Sequence, residues 1–212
     1  VAVAILRAAC QAFIMSSPTR IAVLGSGKGS NFVALQKAIL AGKLDAQIAV
    51  VVSDQSDAQI LVRAAAFGLP TATLPPSPFR TKLGPEAESA LLEILRGHEV
   101  AWVVLAGYMR VVKEPLLDAF PNRILNIHPS LLPAFKGLRA WEQALAAGVA
   151  ETGCTVHFVN ADIDAGEIIA QQRVEVLPGD TAETLHARIQ VAEHELYPSA
   201  LAKVLRGPPG PP

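Results

Sequence analysis

Apolar residues along the chain fall into short runs, each closed by glycine, proline or a polar cluster and most followed by helically spaced apolar positions. The first run, RIAVL at 20–24, ends in a glycine-rich turn, after which Phe32, Leu35 and Ile39 share one helical face. QIAVVVS at 47–53 is apolar without alternation, the pattern of a strand buried on both faces. Residues 58–67 read as a helix stopped by Gly68 and Pro70. A short strand is predicted at 71–74, a helix at 85–95 with Pro85 in its first turn, and strands at 100–106 and 123–127. Strands alternating with helices in this way predict a parallel, doubly wound sheet. The pattern then changes: 153–160 and 168–176 alternate apolar and polar residues around a loop at 161–166, which predicts an antiparallel pair. Asp180-Thr-Ala-Glu183 has the form of a capping box, and Leu185, Ile189, Ala192 and Leu196 follow at helical spacing, predicting a helix of about four turns. The expected fold class is α/β: a Rossmann-like, doubly wound, mostly parallel sheet with a C-terminal antiparallel strand pair and a long C-terminal helix.

Composition narrows the function. Of 212 residues, 51% are hydrophobic and 17% charged, which excludes intrinsic disorder. A mean hydropathy of +0.35 raises the question of a membrane. No unbroken apolar run approaches the roughly 20 residues a spanning helix needs, so no membrane partner is expected. A net charge of −1 argues against a basic nucleic-acid binder. Cys10 and Cys154 make no disulfide framework, and the expected compartment is the reducing cytoplasm. Residues 1–19 read as an N-terminal extension outside the fold, disordered or not native, with Met15 as the natural start. Residues 20–205 read as one domain, and the Pro/Gly-rich 206–212 as a flexible tail.

Two stretches carry candidate chemistry. GSGKGSN at 25–31 joins the first strand to the first helix, where glycine lets backbone N–H groups approach a ligand and the helix N-terminus favours an anion. Its spacing is neither that of a dinucleotide fingerprint nor that of a P-loop, so it reads as a phosphate site of another kind. At the end of the fifth strand, Asn126 and His128 lie two apart and share a face, and Pro129 stops the strand. An amide and an imidazole there can hold a carbonyl oxygen as it gains negative charge, and the imidazole can move a proton. Such a histidine benefits from a carboxylate, and both Asp162 and Asp164 are available in the 161–166 loop; spacing alone does not choose between them. The five histidines have no metal-ligand spacing, so no metal is expected.

These residues, with the motifs LAGYMR, ILNIHPSLLP, ETGCTVHFV, DIDAGEII and AEHELYP in order over about 20–205, resemble the glycinamide ribonucleotide formyltransferases. The resemblance implies transfer of a formyl group from the co-substrate 10-formyltetrahydrofolate to the amine of glycinamide ribonucleotide, in purine synthesis. It implies Asn126, His128 and Asp164 as the catalytic trio, and the 36-residue interval from His128 to Asp164 selects Asp164 over Asp162. Gly29, Ser30 and Asn31 match the ribonucleotide-phosphate segment, and Glu193 matches a carboxylate near the glycinamide. Met109, Arg110, Val111 and Val112 match a folate-contacting stretch in which Asn126 also takes part, and Lys82 aligns with a basic folate contact that is often Arg. Leu132–Pro133 matches a cis peptide. The expected partners are small molecules, with a monomer or a homodimer as the oligomeric state.

One departure is visible: relatives often carry histidines after Gly137, where this chain has Arg139 and Trp141. Three rivals remain. Formyltetrahydrofolate hydrolases usually add an N-terminal regulatory domain, and the enzymes that formylate methionyl-tRNA add a basic C-terminal one; the length of this chain is expected to leave room for neither. A Rossmann-like module without chemistry would not need Asn126, His128 and Asp164 together.

Overall fold

A computed structural model describes residues 17–207. Met15, Cys10 and most of the expected extension and tail lie outside the described residues. At the two boundaries, Thr19 already belongs to the first strand and Arg206 still belongs to the last helix.

The elements run β1 (Thr19–Leu24), α1 (Ser30–Leu40), β2 (Ala46–Ser53), α2 (Gln59–Ala66), β3 (Thr71–Thr73), α3 (Pro85–Gly97), β4 (Trp102–Leu105), α4 (Leu116–Ala119), β5 (Ile124–His128), α5 (Ala140–Ala146), β6 (Glu151–Phe158), β7 (Ile168–Glu175) and α6 (Ala182–Arg206). All seven strands form one sheet in the order β3-β2-β1-β4-β5-β6-β7. The pairs among β1 to β5 are parallel, and β6 is antiparallel to both β5 and β7. The chain order reverses between β1 and β4, the kind of switch point where open α/β sheets form a crevice.

Residues 21–24 of β1, 48–52 of β2 and all of β4 are apolar because both faces are covered. Phe32, Leu35, Ile60, Leu185, Ile189 and Tyr197 pack on one face, and Leu91, Leu95 and Leu116 on the other. The expected fold class holds. Two short helices, α4 and α5, escape the sequence because four and seven residues give no periodic signal. The last helix is longer than the four turns expected, at 25 residues, since its apolar stripe continues through Tyr197, Ala200 and Leu201 with Pro198 held inside. Its cap is also shifted by one. Thr181 is the N-cap, paired with Thr184, while Asp180 forms a two-bond ion pair with Arg188.

Two contacts set the crevice floor. Gly25 has no space for a side chain: a Cβ there would lie 2.7 Å from Ile60 Cδ1 and 2.8 Å from the Ala106 carbonyl oxygen. Tyr197 is fully buried, and its hydroxyl donates to the carbonyls of Leu105 (2.8 Å) and Leu125 (3.1 Å), tying α6 to β4 and β5. Tyr197→Phe removes the one O–H that the two carbonyls share and is expected to cost about 1–3 kcal/mol in urea denaturation at an unchanged m value. A loss below about 0.5 kcal/mol would show that the hydroxyl is not a strut.

Candidate active site

β5 ends at His128, and Pro129 prevents it from continuing. The antiparallel register sets Asn126 opposite His157 and His128 opposite Thr155 on β6. The loop that follows is fixed from behind. Thr155 Oγ1 donates to the Ser130 carbonyl and accepts from the Leu132 N–H, and Ser130 Oγ donates to the Ala134 carbonyl. Leu132–Pro133 is cis as expected, and Glu114–Pro115 is a second cis bond that the sequence did not announce.

His128 is 5% exposed. Its Nε2 lies 2.9 Å from the Phe135 carbonyl oxygen, and its Nδ1 lies 3.3 Å from Asp164 Oδ2. Both partners can only accept, so each ring nitrogen is bonded only when it carries a hydrogen. Asp164 Oδ2 also accepts from the Gly137 N–H at 2.8 Å. Asp164 reaches this position in a left-handed backbone conformation, φ 48°. Gly166 lets the loop turn tightly against β6, since a Cβ there would lie 1.7 Å from the Phe158 carbonyl oxygen. Asp162 is exposed, and its N–H bonds Asn160 Oδ1 in an ordinary turn. The structure thus brings Asp164, not Asp162, to His128.

His157, on β6, supports the site from behind. Its Nδ1 lies 2.8 Å from the Phe158 carbonyl, so it must donate there. Its Nε2 then accepts from Asn126 Nδ2 at 3.3 Å and fixes the orientation of that amide. Burial is the main cause of a lowered pKa, and the charges of His128 and Lys136 add to it; the Phe158 bond and the Asp164 charge oppose. The 3.7 Å approach of Asp164 Oδ1 to Nε2 would favour a charged ring, but it is beyond hydrogen-bond distance. The neutral form agrees with both the burial and the bond from Asn126.

A second cluster lies at the glycine-rich turn. Gly29 is left-handed (φ 73°) and precedes α1, which opens with Ser30 and Asn31. Asn31 Nδ2 donates to Glu193 Oε2 at 2.9 Å, while Asn31 Oδ1 is buried with no hydrogen-bond partner. Glu193 is 5% exposed, and burial pushes its carboxyl up to about 7 against the opposing bond from Asn31. A buried carboxyl and an unpartnered amide oxygen side by side leave acceptor capacity for hydroxyl or amine donors.

The third group lies after β4. Val112 is buried, Val111 is half-buried, and Met109 is exposed. Val111 forms an isolated bridge with Lys82, which is exposed and holds its Nζ 4.4 Å from the Phe79 ring centre. Arg110 does not offer a free guanidinium: its Nε lies 2.6 Å from Asp54 Oδ2, and Nη1 bonds the Phe79 carbonyl. Trp141 stacks on His186 with ring centres 3.7 Å apart and planes 2° apart, and Arg139 pairs with Glu142. Sequence reasoning missed Ser26, Asp54 and the Phe135 carbonyl; the place of Asp54 just past the C-terminal end of β2 was the one signal for it. Among the described residues, no group of three or more His, Cys, Asp or Glu is arranged to hold a metal ion.

The chain matches the formyl transferase family over residues 19–201. It is 44% identical over 186 residues to the phosphoribosylglycinamide formyltransferase of Bacillus subtilis, covering 88% of this chain and 94% of that protein. It is also 44% identical to a segment of the human trifunctional purine biosynthetic protein adenosine-3, covering 89% of this chain but 18% of that protein. Glycinamide ribonucleotide transformylase 1 of Symbiobacterium toebii superposes with a TM-score of 0.84 at 48% identity, over 89% of this chain and 88% of that one. A formyltetrahydrofolate deformylase of Pseudomonas syringae superposes with a TM-score of 0.83 at 27% identity, over 90% of this chain and 62% of that one. This chain belongs to the formyl transferase family.

Proposed function

We propose that the protein transfers the formyl group of 10-formyltetrahydrofolate to the amine of glycinamide ribonucleotide, a step of purine biosynthesis. The observation that carries this reading is the convergence of Asn126, His128 and Asp164 at the end of β5. Identities of 44% and 48% to formyltransferases acting on the ribonucleotide, against 27% to a deformylase, favour amine over water as the acceptor.

The substrate amine attacks the formyl carbon in its neutral form, giving a tetrahedral intermediate with negative charge on the former carbonyl oxygen. Asn126 Nδ2 has a second hydrogen to offer that oxygen, beyond the one donated to His157. His128 Nδ1 faces Asp164, so the oxygen binds at Nε2, replacing the Phe135 carbonyl. Asp164 orients the imidazole and balances its charge, and orders a water that carries the proton from the amine to N10. The C–N10 bond then breaks, leaving tetrahydrofolate and the formylated amine. No metal enters this scheme. The α1 N-terminus with Gly29, Ser30 and Asn31 receives the phosphate, and Glu193 accepts hydrogen bonds from the ribonucleotide near its glycinamide. The folate lies along Met109, Val111 and Val112, next to Asn126, with its acidic tail toward Lys82.

The reading is tested by following folate product with glycinamide ribonucleotide, water and methionyl-tRNA as acceptors. Release with the ribonucleotide alone is expected; equal release in water would make the protein a hydrolase. His128→Ala and Asp164→Asn are each expected to lower kcat about 10²–10⁴-fold while KM for the ribonucleotide stays within a few-fold. Near-normal turnover in either variant would remove that residue from the mechanism.

Glu193 gives a signed pH effect. Its folded pKa lies above its unfolded value, so the folded state binds more protons between about pH 4.5 and 7, and stability falls as pH rises through that window. Glu193→Gln is expected to stabilise the free protein by about 1–3 kcal/mol above pH 7.5, to change little below pH 4, and to weaken ribonucleotide binding. Thermal melts at several pH values with titration calorimetry check it; a gain equal at all pH values would contradict the burial of a titrating carboxyl.

A further inference from the structure

Asp54 follows β2, outside every segment assigned to either substrate, and its side chain is only 3% exposed. Each of its oxygens is bonded to a different loop. Oδ1 accepts from Ser26 Oγ at 2.5 Å, and Ser26 belongs to the glycine-rich turn. Oδ2 accepts from Arg110 Nε at 2.6 Å and from Gln55 Nε2 at 2.8 Å, and Arg110 belongs to the stretch after β4. Ser26 Oγ in turn accepts the Met109 N–H at 2.9 Å, and the Ser26 N–H donates to the Gly107 carbonyl at 3.0 Å. Arg110 extends the chain of bonds to the Phe79 carbonyl, and the Val111 N–H bonds the Thr81 carbonyl at 2.8 Å. Burial raises the Asp54 pKa, but the bonds from Ser26, Arg110 and Gln55 and the Arg110 charge outweigh it, so the carboxyl stays ionised. A buried ionised carboxylate with two loops bonded to it has few alternative arrangements, because moving the Arg110 stretch leaves a buried charge unpaired and moving the turn leaves a buried carboxylate oxygen without its donor.

We infer that Asp54 is a positioning residue that holds the ribonucleotide-phosphate turn and the folate loop in one fixed relation through Ser26 and Arg110. The inference rests on the proposed function for the identity of the two ligands, but its geometry does not. The reaction needs an amine held from the turn and a formyl group held from the folate loop to meet within bonding reach. A fixed relation between the loops removes the cost of ordering them on binding. Asp54 acts through its partners and touches no reacting atom.

The test uses the full chain with Asp54→Ala, which removes the carboxylate that orients both Ser26 and Arg110, and Ser26→Ala, which removes the turn's side-chain bonds while leaving the Arg110 ion pair and the Ser26 N–H bond to Gly107. Amide hydrogen exchange of the free protein is read first, at Met109 and Val111. Exchange at both is expected to quicken at least tenfold in Asp54→Ala, and at Met109 in Ser26→Ala, with slow exchange kept in β1 and β4. Bisubstrate kinetics follow: Asp54→Ala is expected to raise KM for both substrates about tenfold, with kcat within about threefold of wild type. If Asp54→Ala does not fold, Ser26→Ala decides, with faster Met109 exchange and a raised ribonucleotide KM expected. Unchanged exchange at these amides, or a fall in kcat with both KM values unchanged, overturns the inference. If the wild-type protein transfers no formyl group, the functional reading fails, while the exchange result still decides the loop coupling.

Discussion

The Asp164 carboxylate meets the His128 imidazole across an antiparallel strand pair, and much of the site depends on that meeting. β5 delivers His128 to the end of the sheet, and β6 returns beside it with His157 opposite Asn126. The loop after β6 must then double back far enough for a carboxylate to reach the imidazole. Two backbone concessions allow it: Gly166 lies flat against Phe158, and Asp164 adopts a left-handed conformation that non-glycine residues rarely take. The same carboxylate grips the Gly137 N–H, so it also fixes the loop whose Phe135 carbonyl faces His128. One side chain therefore orients the imidazole and the segment that covers it.

Glu193 carries a stability cost in the free protein. A carboxyl buried to 5% exposure with one bond from Asn31 is an unfavourable element of a free protein. Beside it, Asn31 leaves a buried oxygen without a donor. Both groups sit at the first turn of α1, whose leading backbone N–H groups have no partner within the helix. Tyr197, also on α6, bonds Leu105 of β4 and Leu125 of β5, and so ties the helix that carries Glu193 to the strand that carries Asn126 and His128.

The strands of the parallel half were legible because burial on both faces writes an unbroken apolar run. The helices α4 and α5 were not, being too short to show a period. The NIHPSLLP motif exposed Asn126 and His128, since a proline after paired polar residues at a strand end leaves few other readings. Spacing could not separate Asp162 from Asp164; family resemblance did, and the structure gives the reason in the turn at Gly166. The family resemblance pointed to Arg110 as a folate contact, but nothing in the sequence marked it as bonded inward. Its partner Asp54 lies 56 positions earlier in the chain, and no local pattern links the two. Asp180 misled in the same way: it resembles a cap in sequence, yet its carboxylate accepts from Arg188, the Leu177 N–H and the Thr184 hydroxyl while Thr181 caps the helix.

Following the fate of an isotopically labelled formyl group tests the central claim most directly. With 10-[¹³C]formyltetrahydrofolate and glycinamide ribonucleotide in a single turnover, the ¹³C signal is expected to pass stoichiometrically into an amide of the ribonucleotide. Label recovered as free formate, with the ribonucleotide unmodified, would contradict an active site built for amine attack.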